Sequence, residues 1–285
     1  MFAVLRVKSL SATGIIGRLL HKIKKHSVKA ELVKTPLGSY LLLEAESESI
    51  NWKKVENLCG RAGKRLVMPP ELELPQVTTL KRFVPEALTG RIMLNTCTEV
   101  IRRCHLPLYR KIVTLVDINA EYTYYVPELL CNCITVRVVT ACDDRYDEVS
   151  RQMMEELGAS VLVTNTLGEP QEQGDSIFII CPNGNAASTI LSKTPVFTLG
   201  NIDVPAPSKL IGDLQIKPQG QLAELLPHGI AAIDFAGAMY DYFGWQGGKK
   251  LLASTLRCKG NLLQQCDIIE YLEQYHHNTA YFASF

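Results

Sequence analysis

The chain is predicted to be a two-lobe α/β protein organised around a parallel sheet, and three observations predict it. Short apolar runs at 112–116, 135–140, 160–163, 176–181 and 195–199 follow one another at the spacing of strand-helix-strand units. The run at 112–116, IVTLV, is apolar at almost every position, as a strand covered on both faces must be. Between the second and third runs, 143–157 has helical spacing, opens on Asp143 and Asp144 and is followed by Gly158, which suits both ends of a helix.

Length and composition narrow the class. A chain of 285 residues is long enough for two domains and a sizeable core. No window approaches roughly 18 uncharged apolar residues, so no membrane span is expected. The first 25 residues carry their charges within and after the apolar positions, and this order suits mature structure better than a cleaved leader. Nine cysteines, an odd number spread through predicted strands and helices, suit buried thiols in a reducing compartment, so the expected location is the cytoplasm. The one close pair, Cys131 and Cys133, lacks the histidines or second pair that zinc requires.

The charge is unevenly distributed. Residues 1–110 hold 19 Lys and Arg against 9 Asp and Glu, whereas 111–285 hold 11 against 20. The halves therefore carry about +10 and −9, and either they attract each other or the basic half meets an anionic partner.

In chain order, a short strand at 2–7 is followed by a basic amphipathic helix at 13–26, with Ile16, Leu19, Leu20 and Ile23 on its apolar stripe. Residues 29–47 read as a hairpin turning at Pro36, Leu37 and Gly38. A helix at 51–62 and a strand at 64–68 precede a proline-rich linker, and a helix at 85–104 ends on Arg102 and Arg103, where cations complement the helix dipole. In the central part, 120–130 reads as the helix after the first strand, and 185–191 is long enough only for a short helix. Residues 200–219 read as a connection, and 220–226, 229–243 and 249–275 as C-terminal helices, the last interrupted near Gly260. The expected domains are a basic α/β lobe at 1–105, a sheet domain at 106–215 and helices at 216–285 that pack across both.

In such a sheet, ligands bind beyond the carboxyl ends of the strands. The residues placed there are Asp117 and Asn119 after the first strand, Thr140 and Arg145 after the second, Asn165 after the third, and Asn183 and Asn185 after the fourth. These seven are the candidate ligand-binding crevice. Short polar side chains there also serve simply as turn formers.

Taken with a smaller first lobe and returning C-terminal helices, this layout resembles the two-domain nicotinamide-dependent dehydrogenases of the shikimate and amino-acid dehydrogenase type. The resemblance implies a Rossmann-like domain and makes NAD(P) the cofactor to consider. It would put a glycine-rich, pyrophosphate-binding turn after the first strand. That turn here reads VDINAEYTYY, with no glycine and with carboxylates at Asp117 and Glu121 that repel a diphosphate. Thr140 and Arg145 fall where such enzymes read a 2′-phosphate, although Asp143 and Asp144 compete for the arginine.

Other chemistries have less support. No histidine falls in a metal-ligand spacing, and His276 with His277 reads as a solvated pair. Cys181, followed by PNGN, is the best-placed nucleophile, with packing as its ordinary role. The basic groups of the first half are dispersed without interleaved aromatics, which disfavours nucleic acid. The sequence thus points to a degenerate Rossmann-like domain that binds a small molecule or a protein partner without catalysis. The alternatives are an atypical NAD(P)-dependent oxidoreductase and an interaction protein docking an acidic partner or nucleic acid through its basic half.

Overall fold

The computed structural model describes residues 1–7, 28–45, 50–166, 176–182, 194–199, 210–258 and 261–282. The predicted helices at 13–26 and 185–191 and the residues Asn183 and Asn185 lie outside them. The chain divides into two compact units, Met1–Leu88 with Lys217–Lys249, and Thr89–Ile216 with Lys250–Phe285. Among the described residues the α-helices are α1 (Trp52–Cys59), α2 (Glu86–Arg103), α3 (Val126–Leu130), α4 (Asp143–Leu157), α5 (Gln221–Leu225), α6 (Ala232–Phe243) and α7 (Gln265–Phe282).

The first unit is built on β1 (Ala3–Val7), β2 (Val28–Thr35), β3 (Gly38–Ala45) and β4 (Leu66–Val67), in the order β2-β3-β1-β4. β2 and β3 form the expected hairpin. The Thr35 hydroxyl accepts from the Leu37 and Gly38 N–H groups and donates to the Gly38 carbonyl. β1 lies parallel to both β3 and β4. Strand alternation gives the sheet two apolar faces. One carries Ala3, Leu5, Leu43 and Ala45 and packs on Val55 and Cys59 of α1, whose N-terminus is capped by the Asn51 side chain. On the other, Phe2 stacks on Tyr40 at 5.4 Å, and Phe235 and Phe243 of α6 close over them. A Cβ at Gly38 would stand 2.6 Å from the Phe243 ring, so this turn residue must be glycine for the ring to seat. The Arg82 guanidinium donates to the carbonyls of Met68, Pro69, Pro70 and Leu72 and so fixes the proline-rich stretch.

The second unit is a Rossmann-like α/β domain. Its strands are β5 (Ile112–Val116), β6 (Thr135–Val139), β7 (Ser160–Thr164), β8 (Phe178–Cys181), β9 (Val196–Thr198), β10 (Leu210–Gln215), β11 (Thr255–Cys258) and β12 (Asn261–Leu263). They lie in the order β12-β11-β10-β9-β8-β5-β6-β7. β5 to β10 are all parallel. Numbered from β5 they run 3-2-1-4-5-6, the order of a dinucleotide-binding sheet.

Several expectations are corrected. The connection expected at 200–219 contains β10, a sixth parallel strand. It pairs with β9 closely enough that a Cβ at Gly212 would lie 2.5 Å from the Thr198 carbonyl oxygen. Among the described residues, the helix expected at 249–275 is α-helical only from Gln265, after a 3₁₀ turn at Gln246–Lys250. Between them, β11 and β12 pair antiparallel and extend the sheet, and β10 meets β11 through a bulge at which Asp213 has φ 47°. Leucines at 251, 252, 256, 262 and 263 fit helical spacing, but the bonding groups left open at the edge of β10 draw this stretch into the sheet. The helix expected at 120–130 is α-helical only over α3, after a 3₁₀ turn at Thr123–Tyr125. α4 matches its predicted span, but Cys142 occupies the cap position, with Asp143 and Asp144 in the first turn. His276 is not part of a solvated pair, since its ring nitrogen meets the Ile177 carbonyl at 3.3 Å.

Gly212→Ala tests the β9–β10 contact. Crowding a backbone carbonyl with a methyl group should destabilise the second unit by about 1–3 kcal/mol, measured by urea unfolding.

Candidate functional site

β5, β6 and β7 end level with one another, because Val116 pairs with Val139 and Val139 with Thr164. The next residues, Asp117, Thr140 and Asn165, therefore stand side by side at the carboxyl edge.

Asp117 is 1% exposed. Its N–H continues the ladder to the Val139 carbonyl at 2.9 Å, and its own carbonyl accepts from Ala120 N–H at 3.1 Å to close a tight turn. Ala120 sits at φ 52°, left-handed backbone in which glycine is the usual residue. The turn then directs two consecutive N–H groups back at the side chain. Glu121 N–H donates to Oδ1 at 3.0 Å and Tyr122 N–H to Oδ2 at 2.8 Å. The Tyr146 hydroxyl, from the first turn of α4, donates to the same Oδ2 at 2.6 Å. Burial and the adjacent Asp117 charge push the Tyr146 hydroxyl pKa far above its ordinary value, so it remains a donor.

Adjacent main-chain N–H groups converging on an anion are the device by which such folds cradle phosphate. In this chain the anion they hold is the protein's own carboxylate.

The neighbouring turn is fastened to the first. The Ile118 carbonyl accepts from Ala141 N–H at 3.0 Å and from the Thr140 hydroxyl at 3.3 Å. Thr140 Oγ1 in turn accepts from Cys142 N–H at 3.1 Å. Asp117 and Thr140 thus point inward and bond within the protein. Asn119, Arg145 and Asn165 are exposed at the rim. Asn119 reaches Glu121 at 3.4 Å. The structure therefore brings the five described candidates to one edge but splits them into an inner pair and an outer three.

The segment after the turn is tied to α2. The Tyr122 hydroxyl fills the space a Cβ of Gly90 would take. The Tyr125 hydroxyl donates to Asn95 Oδ1 at 2.8 Å, and Asn95 Nδ2 donates to the Leu251 carbonyl at 2.8 Å. The Arg91 guanidinium lies 5.2 and 5.0 Å from the Tyr124 and Tyr125 ring centres and 3.3 Å from Glu128. Sequence reasoning missed Tyr146, Gly90 and Arg91. The only available signal was a tyrosine placed in the first turn of an otherwise charged helix.

On the other side of β5, β8 and β9 end at Cys181 and Thr198, which pair in register. Cys181 is fully buried, and burial alone pushes its thiol up to about 12, so it is neutral and shielded at physiological pH. The Thr198 hydroxyl is buried without a hydrogen-bond partner among the described residues. Among the described residues no group of three or more His, Cys, Asp or Glu is placed to hold a metal ion. No helix of these residues is long and apolar enough to cross a membrane.

No family model matches the chain, and no curated protein matches its sequence. Among solved structures, it is similar to Thermococcus litoralis Delta(1)-pyrroline-2-carboxylate reductase in complex with NADH and L-proline. The match has 14% identity and a TM-score of 0.27, and it covers 40% of this chain and 36% of that one. The fold assignment rests on strand order and direction alone.

Two measurements follow from this geometry. Asp117→Asn turns an amide N–H₂ toward N–H or O–H donors and should cost about 2–4 kcal/mol, whereas Tyr146→Phe removes one charged hydrogen bond and should cost about 1.5–3 kcal/mol, both by denaturant unfolding. Iodoacetamide at pH 7.5 should label the exposed Cys131 and Cys266 quickly and Cys181 only after unfolding, read by peptide mass spectrometry.

Proposed function

We propose that this chain is a non-catalytic cytoplasmic protein whose Rossmann-like domain is a binding scaffold for a small ligand or a protein partner, not the cofactor site of a dehydrogenase. The observation that carries this reading is the Asp117 carboxylate, which occupies both N–H groups of the turn where a pyrophosphate would be held. A diphosphate there would have to displace a covalently attached anion and would meet its charge at close range. Location in a reducing compartment is supported by the nine cysteines, all of which are free thiols. The exposed rim of Asn119, Arg145 and Asn165 is the part of this edge left for a partner.

Calorimetric titration with NAD, NADP and their reduced forms tests the proposal. The expected result is no heat of binding up to about 1 mM ligand, the range of typical weak cofactor affinity. Micromolar binding of any of the four would overturn it.

A second reading, an atypical NAD(P)-dependent oxidoreductase, is favoured by one observation: β10 completes the six-strand dinucleotide-binding order. On that reading Arg145 supplies the 2′-phosphate contact. Arg145→Ala should then weaken NADP binding by at least about tenfold and leave NAD unaffected, as loss of a charged hydrogen bond requires.

A further inference from the structure

The amino edge of the second unit, opposite the edge that carries Asp117, exposes large apolar side chains. β5, β6 and β7 begin level with one another, because Ile112 pairs with Thr135 and Thr135 with Ser160. The residues leading into them include Leu108 at 58% exposure, Tyr109 at 67%, Ile134 at 42% and Leu157 at 52%. Apolar side chains exposed singly are ordinary, whereas several brought to one edge mark a contact surface.

Hydrogen bonds fix this edge. Lys111 N–H donates to the Leu108 carbonyl at 2.9 Å, which seats the 3₁₀ turn Leu108–Arg110 on the start of β5. Ile134 N–H donates to the Lys111 carbonyl at 2.9 Å, at the start of β6. Leu157 is the last residue of α4, and Gly158, at φ 62°, turns the chain from it toward β7. The three strand entrances thus form one row, each roughly 4.8 Å from the next. The two ends of the row differ in charge. Beside β5 the Arg110 guanidinium lies 5.9 Å from the Tyr109 ring centre, and beside β7 Glu156 accepts an amide N–H of Gln152 at 2.8 Å. These neighbours are neutral and do not cancel either charge. Glu155, by contrast, is paired with Arg151 at 3.4 Å.

We propose that this amino edge is the contact surface for a second copy of the chain, related by a two-fold axis that passes beside Ile134 perpendicular to the sheet. The rotation exchanges the two ends of the row. Ile134 meets its counterpart, Leu108 and Tyr109 cover Leu157 of the other copy, and Arg110 faces the other copy's Glu156. Each unlike contact occurs twice, as in any isologous interface. An axis along the row would instead set Arg110 against Arg110 and Glu156 against Glu156, and like charges brought together are costly. A partner carrying one sign of charge would meet its own sign at one end. A row with a cation at one end and an anion at the other is complementary to itself once turned about, so a second copy supplies the pattern the edge requires. Tyrosine and arginine are also the residue types enriched in contact surfaces. An edge three strands wide is smaller than the roughly 800 Å² per partner of a standard interface, so the dimer is weak and exchanges rapidly. It leaves Asn119, Arg145 and Asn165 at the other end of the strands and does not depend on what binds there.

Sedimentation velocity on the full chain tests this. The wild type should pass from monomer to dimer between about 1 and 300 µM, the range expected of a small interface. Ile134→Asp sets two carboxylates against each other at the axis, and should be monomeric throughout with unchanged far-UV circular dichroism. Arg110→Glu and Glu156→Arg, each alone, bring like charges together and should weaken the dimer at least about tenfold at low salt. The two substitutions in one chain should restore association, because the unlike pair is then rebuilt with its signs exchanged. A wild type that stays monomeric at about 300 µM, a dimeric Ile134→Asp, or a double variant no better than the single ones would each overturn the proposal.

Discussion

The second unit depends on one buried carboxylate. Asp117 accepts three hydrogen bonds at 2.6–3.0 Å from a turn and from α4. Hydrogen bonds to a charged group contribute about 1.5–3 kcal/mol each, enough to offset the roughly 1–2 kcal/mol of left-handed backbone at Ala120. The arrangement has a further effect. A glycine-rich turn leaves its N–H groups open, and its order then depends on a ligand. In this turn both N–H groups are already bonded to the Asp117 side chain, so its order comes from within the chain.

How much of this could be read from the residues varied with how local the cause was. β5 and α4 appear at their predicted bounds because their signals, an uninterrupted apolar run and a helical stripe closed by Gly158, lie within the element itself. β10 was hidden because Gly212 and Asp213 interrupt its alternation and prolines stand nearby. The bulge they form makes sense only beside β11, about 40 residues later. β11 and β12 were hidden because leucines at mixed spacing satisfy a helix and a strand equally well. Only the bonding capacity left at the edge of β10 chooses between them.

The site shows the same divide. That Asp117 stood at the end of the first sheet strand, where a phosphate loop would begin, was legible. Its partners were not. Tyr146 lies 29 positions away, and Gly90, against which the neighbouring Tyr122 packs, belongs to a helix before β5, so both contacts are products of folding rather than of spacing. Thr140 illustrates the cost of that blindness. Its position suggested a ligand contact, whereas its hydroxyl is committed to Ile118 and Cys142.

The division of the chain into units carries a consequence for synthesis. Met1–Leu88 forms one compact body only together with Lys217–Lys249, which the ribosome delivers after the whole of Thr89–Ile216. Phe2 and Tyr40 reach their covering rings, Phe235 and Phe243, only then. At about 5–20 residues per second the first sheet waits many seconds with one apolar face uncovered. The strands made first are therefore among the last to be sealed, and an emerging chain carries that greasy surface past every other nascent copy on the same message.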